Sequence, residues 1–141
     1  MYDVHEVDGP SNADQILKFN SLVSEWPPLQ SRHLENGFWW LATLEDETVA
    51  FAGLVPFEPF VGVGYLKRCF VKPDHHGHGL QFRMLLAREL KAKNLGWHTL
   101  VSECHESNFW SSCNFRKAGY SQAEPEQKWG AYNSIYFVKT I

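Results

Sequence analysis

The chain has 141 residues, 44% hydrophobic and 21% charged, with a formal net charge of −3. The length supports one domain, residues 1–141, with a real core, and the composition is that of a water-soluble globular protein. A net negative chain has no global basic field to favour nucleic acid, and no uninterrupted apolar run is long enough to cross a membrane.

Met1–Val7 alternates as a first strand, closed by a turn at Asp8-Gly9-Pro10. Ser11 followed by Asp14 resembles a capping box. Ile16, Phe19, Leu22, Val23 and Trp26 then form the apolar stripe of a helix that Pro27-Pro28 ends. Residues 29–37 read as a loop with a short helical turn. Phe38–Leu44 and Thr48–Phe57 form an antiparallel hairpin around the acidic turn Glu45-Asp46-Glu47. A Pro- and Gly-containing connection, 58–64, leads into a largely apolar strand at Tyr65–Val71, which Pro73 ends.

From Leu80 the period changes to helical, with Phe82, Leu85, Leu86 and Leu90 on one face. Asn94 and Gly96 stop that helix, and a fifth strand follows at Trp97–Cys104. Ser107 or Asn108 caps another helix, with Arg116 and Lys117 in its last turn and Gly119 at its end. Tyr120–Ala123 and Tyr132–Thr140 close the chain as strands. This order predicts an α/β fold with a mixed sheet of about seven strands.

The strand, glycine turn and helix at 65–90 carry the first functional signal. Gly77 and Gly79 permit backbone angles that other residues resist and leave their amides sterically open. Amides converging with a helix dipole at Leu80 make an anion site suited to phosphate or pyrophosphate. The same turn also serves as ordinary punctuation. It is not a P-loop, because no lysine followed by Ser or Thr comes after the glycines, and Gly-x-Gly-x-x-Gly is absent.

Val71, Pro73, Asp74, Gly77, Gly79 and Leu80 resemble the coenzyme A loop of the GNAT N-acyltransferase superfamily, Val-x-Pro-Glu-Tyr-Arg-Gly-x-Gly-Ile-Gly. His76 stands at the usual Arg or Gln, and Gln81 at the last small residue. Downstream, Asn108 followed by Phe115-Arg116-Lys117-Ala118-Gly119-Tyr120 is similar to the family's Asn-x6-Tyr-Glu-Lys-x-Gly-Phe. The two motifs together cover about 66–120. The resemblance implies a mainly antiparallel twisted sheet with helices on both faces, and acetyl-coenzyme A as acyl donor with no metal.

It also implies roles. Backbone groups of Cys69, Phe70 and Val71 would hold the pantetheine arm. The amides of His76, Gly77, His78, Gly79, Leu80 and Gln81 would hold the pyrophosphate, with His76 when protonated supplying part of the missing arginine's charge. Asn108 would hydrogen-bond the pantetheine, and Phe115 would pack near the coenzyme's sulfur.

Glu103, at the end of the fifth strand, is the candidate base, as in acyltransferases of the ribosomal-protein N-terminal type. A glutamate there serves equally well as a salt-bridge partner, and His105 and Glu106 are substitutes for the role. Phe115 stands where the family has the tyrosine that protonates the leaving thiolate, so water, the ammonium or Tyr120 would have to serve.

His75, His76, His78 and Asp74 crowd one tight turn without the spacing of a zinc site, so no metal is expected. Cys69, Cys104 and Cys113 lack paired spacing and read as reduced thiols. MYDVHEVDGP lacks the basic and apolar regions of a signal peptide, which predicts a cytoplasmic protein. The expectation is an N-acetyltransferase acting on a small-molecule or peptide amine by direct attack, with no nucleic-acid or membrane partner and with homodimerisation left open. The alternative is a degenerate acyl-coenzyme A-binding or interaction module. Segments 26–37 and 124–131 would choose the acceptor.

Overall fold

The computed structural model describes residues 1–141. Its seven strands are β1 (Asp3–Val7), β2 (Phe38–Leu44), β3 (Glu47–Pro56), β4 (Val63–Val71), β5 (Thr99–His105), β6 (Ser121–Ala123) and β7 (Ser134–Thr140). Four α-helices connect them: α1 (Ala13–Ser21), α2 (Ser31–Asn36), α3 (Leu80–Asn94) and α4 (Phe109–Lys117). The sheet order is β1-β2-β3-β4-β5-β7-β6, antiparallel throughout except for the β4–β5 pair.

Strand alternation sends neighbouring residues to opposite faces, and the two tryptophans of β2 divide the core accordingly. Trp39 joins Ile16, Phe19, Leu34 and Phe51 under α1 and α2. Trp40 joins Leu54, Leu66, Leu85, Leu100 and Phe115 under α3 and α4. The helices therefore cover both faces. Ala42, Ala50 and Ala52 are small, and Leu80 and Met84 of α3 fill the space above them.

Several local expectations need correction. The β2–β3 turn is two residues, Glu45 and Asp46, both at positive φ, as a type I′ hairpin requires; Glu47 already belongs to the strand. Ser11 does not cap α1. Its amide and hydroxyl instead donate to Asp8 Oδ2 at 2.9 and 2.6 Å.

Helix α1 stops at Ser21, well before Trp26, and Leu22 is 60% exposed. The buried Asn20 accounts for the early stop, since its Nδ2 donates to Pro27 O at 3.1 Å and folds the chain back.

Helix α3 buries Leu80, Met84, Leu85, Arg88, Glu89 and Ala92, while Leu86 and Leu90 of the expected face are exposed. Arg88 and Glu89 can be buried because both are bonded there. Glu89 accepts from Lys139 Nζ at 2.7 Å and Tyr120 OH at 3.1 Å.

One irregularity positions the site. Ala52 pairs with Cys69 but Gly53 pairs with Lys67, so Arg68 is an extra residue, held at φ 62°. Such a bulge bends its strand. On the other edge of β4, parallel pairing covers only Val63–Tyr65 against Thr99–Val101, and Ser102 Oγ donates to Leu66 O at 2.9 Å as the last link. Beyond it β4 follows β3 and β5 follows β7. A gap opens between residues 67–71 and 103–105.

Candidate active site

The glycine turn lies at the head of this gap. Gly77 and Gly79 have φ of 83° and 73°, and a Cβ built on either would meet no atom within 4 Å. The conformation requires glycine, and the space before it is open. The first-turn amides of α3 have no intrahelical partner and face that space with the positive end of the dipole. The residues present therefore fit a pyrophosphate.

The neighbouring groups are partly committed. The His76 amide donates to Pro73 O at 3.2 Å, and its ring Nε2 lies 2.8 Å from Val71 O, which ties the ring back to the strand end. His75 Nδ1 is 2.8 Å from Tyr2 OH, and the His78 ring lies 5.4 Å from that of Tyr2. His75 and His78 thus both meet Tyr2, while His76 is held at the strand end. Leu80 contributes its side chain to the core.

Gln81 bridges the two helices, donating to Ser111 Oγ at 2.7 Å and accepting from Asn114 Nδ2 at 2.9 Å. It fixes the start of α4 beside the glycine turn. Asn108 caps α4, its Oδ1 accepting from the Ser111 amide at 3.1 Å.

Cys69, Phe70 and Val71 form the β4 lip of the gap, where Phe70 packs on Phe19 at 5.4 Å between centroids. Glu103 stands on the β5 lip. Its Oε1 accepts from the Tyr65 hydroxyl and its Oε2 from Trp129 Nε1 at 2.6 Å. Burial, then the Glu103 charge, push the Tyr65 phenol up well above its ordinary range. A carboxylate has about four lone-pair positions, so two such bonds orient Glu103 without exhausting it.

Trp129 was not singled out from the sequence; a tryptophan beside glycine in an otherwise polar loop was the available signal. Its ring meets Tyr136 at 4.6 Å and Phe57 at 5.1 Å, so the loop closes an aromatic wall over Glu103. A cavity of about 470 Å³ lined by Glu106, Lys128, Gly130, Tyr132 and Tyr136 adjoins it. His105 and Glu106 are exposed, and His105 Nδ1 is engaged by Ser107.

Phe115 is 8% exposed, stacked on Phe137 at 4.9 Å and edge-on to Tyr120 at 5.5 Å. Phe137 pairs with Ser102 while Tyr136 pairs with Glu103, so Phe115 and the Glu103 carboxylate lie on opposite faces of the sheet. Tyr120 donates its hydroxyl to Glu89, and burial followed by that carboxylate raise its pKa strongly. It is a poor proton donor. Cys113 is exposed, whereas burial pushes the Cys104 thiol up to about 11.

A sheet opened between β4 and β5, an amide cradle at α3 and a carboxylate at the lip define the class of protein, and sequence comparison agrees. The acetyltransferase (GNAT) family profile matches residues 5–120, and the chain belongs to that family. The ribosomal-protein-S18-alanine N-acetyltransferase of Escherichia coli superposes with a TM-score of 0.79 at 16% identity, covering 100% of this chain and 94% of that one. A GNAT family acetyltransferase from Elizabethkingia anophelis with acetyl-CoA bound gives 0.78 at 19%, covering 99% and 98%. The ribosomal-protein-alanine N-acetyltransferase of Brucella melitensis gives 0.79 at 20%, covering 99% of each. At these identities the likeness is one of fold. No curated protein matches the chain, and no helix is long and apolar enough to cross a membrane.

Proposed function

We propose that the protein is an acetyl-coenzyme A-dependent N-acetyltransferase, working as a single domain in the cytoplasm, that acylates a primary amine by direct attack. The observation that carries this reading is the oriented Glu103 carboxylate at the lip of the β4–β5 gap, with the open glycine cradle at the gap's head.

The amides of Gly77, His78, Gly79, Leu80 and Gln81 would hold the pyrophosphate. Backbone groups of Cys69, Phe70 and Val71 would line the pantetheine arm. Asn108 and Phe115 would border it from α4. The coenzyme, when bound, supplies an activated acyl group as a thioester.

Glu103 takes the proton that the attacking amine gives up, directly or through one water. Tyr65 and Trp129 keep the carboxylate aimed while it does so. As the nitrogen–acyl bond forms and the carbon–sulfur bond breaks, the leaving sulfur needs a proton. Residue 115 has none to give, and Tyr120 is bonded to Glu89. Solvent or the ammonium then serves as the acid.

That feature alone favours the second reading, a coenzyme A-binding module without turnover. Thiol release from acetyl-coenzyme A in the presence of an amine panel separates the two. The enzyme reading expects turnover that Glu103→Gln depresses by about 10²- to 10⁴-fold while coenzyme affinity holds. Binding without turnover on any amine would select the module.

A further inference from the structure

The cations beside Glu103 are in no salt bridge. Lys67 is two residues beyond Tyr65 on β4, as Glu103 is two beyond Val101 on β5, so the two side chains stand level on the same face across the gap. Lys67 Nζ lies 5.6 Å from the Tyr65 ring centroid and forms no ion pair.

Arg68 follows at the bulge. Its Nε donates to Asn20 Oδ1 at 2.9 Å and its Nη2 to Pro27 O at 3.1 Å, both neutral oxygens. Its guanidinium lies 5.2 Å from the Trp26 ring centroid, and Glu103 acts on it without an ion pair. Arg32 and His33 of α2 complete the group, and Arg32 Nε donates to another neutral oxygen, Gln30 Oε1, at 2.7 Å. After burial itself, Lys67, Arg32 and Arg68 hold the His33 pKa down, so His33 stands in the field of those three cations as a neutral imidazole.

In a chain of net charge −3, gathering three cations, two of them half-buried, is costly unless more negative charge than one carboxylate joins them. The one carboxylate that is near, Glu103, acts on both Lys67 and Arg68, but it is a single negative charge against three cations and leaves the group net positive.

The same space has an aromatic side. Tyr65 is the joint between the two: its hydroxyl reaches Glu103, its ring lies beneath Lys67 Nζ, and Phe57 packs against it at 5.9 Å. Phe60 stacks on Phe57 at 5.7 Å and is 58% exposed, so this wall is open to an incoming ring.

Resting on the acetyltransferase reading above, we infer that the acceptor is a small amine with an aromatic body and an anionic group, a carboxylate or a phosphate. Its amine meets Glu103, its ring meets the Phe57–Phe60 wall, and its anion meets Lys67 with Arg68, His33 and Arg32 behind. The transfer leaves the anion untouched, which acts only in binding.

The test compares phenethylamine, para-carboxyphenethylamine and phosphotyramine as acceptors for wild type, Lys67→Gln and Arg32→Gln, each checked for folding by thermal melting. The expected result is a kcat/KM higher for a charged acceptor by about two- to fivefold, the scale of one partly screened charge pair. Which charged arm gains tells carboxylate from phosphate. Lys67→Gln should bring the ratio close to one, and Arg32→Gln should reduce it by less.

If phenethylamine serves as well as both charged amines and the ratio is indifferent to Lys67, the inference is overturned while the acetyltransferase reading stands. If no amine is acylated, calorimetry on coenzyme A-loaded protein decides instead. A preference for the charged ligands that Lys67→Gln abolishes upholds the anion pocket even as the turnover reading falls. Equal or absent binding overturns it.

Discussion

Arg88 Nη1 donates to the carbonyl of Arg68 at 3.1 Å, and Arg68 is the residue whose positive φ marks the bulge in β4. The same nitrogen donates to Gly53 O at 3.0 Å on β3, so one buried guanidinium from α3 clamps both sides of the bulge. No carboxylate pairs with it. Its charge rests on carbonyl oxygens alone.

Arg88→Met keeps most of the volume and removes the clamp. Two buried carbonyls lose their donor at about 1–3 kcal/mol each, offset in part by no longer burying a charge, so the net loss should be about 2–4 kcal/mol. Chemical denaturation measures it. Coenzyme A affinity should fall as well, because the bulge shapes the gap; a variant as stable and as tight-binding as wild type would show that the bulge holds itself.

Phe115→Tyr adds a hydroxyl to a ring packed between Phe137 and Tyr120. Left unpaired in the core it would cost about 1–3 kcal/mol, so the melting temperature should fall. If the site lacks only its acid, turnover should rise nonetheless, by less than the roughly 10²-fold of a tuned general acid. Single-turnover kinetics on an accepted amine checks this. Unchanged turnover would mean that the thiolate draws its proton from elsewhere.

Lys67 has its pKa lowered from 10.5 to about 8, by burial first and then by Arg68, against the pull of Glu103. Tyr65, Arg32 and His33 are the other titratable or charged groups around it. Between those two pH values the unfolded chain holds a proton that the folded chain has released. The residue's contribution to stability therefore rises with pH through that window, and its charge penalty is fully present below it. Lys67→Met should be more stable than wild type at neutral pH, with the advantage shrinking as pH climbs from about 8 towards 10. A constant difference in denaturation midpoints across that range would contradict the assignment.

Much of this was legible in the sequence, for reasons that are local. Gly77 and Gly79 announce their backbone angles, Asn108 is a cap by chemistry, and the β2–β3 hairpin follows from two largely apolar runs on either side of an acidic turn. What could not be read depends on distant partners. Arg88 and Glu89 look like the solvent side of α3 until β3, β4, Tyr120 and Lys139 are brought to them. The bulged residue Arg68 is not itself a glycine, and Gly53 opposite it lies on the other strand. The length of α1 turns on Asn20 finding Pro27 O and the Arg68 guanidinium. Trp129 reaches Glu103 from 26 residues away, from a loop whose composition is polar.

The central claim is that coenzyme A is held at the glycine turn, and titration calorimetry with paired alanine variants tests it most directly. Gly79 and Gly96 share a positive φ, 73° and 81°, and open space around a would-be Cβ. Alanine at either should cost about 1–2 kcal/mol in backbone strain, so the pair separates strain from binding. Gly79→Ala should weaken coenzyme A binding about tenfold or more, since its methyl and any shift of the turn disturb the amides that meet the pyrophosphate. Gly96→Ala, at the far end of α3, should leave the affinity as in wild type. Equal affinities for wild type and both variants, or no binding by wild type, would contradict the account.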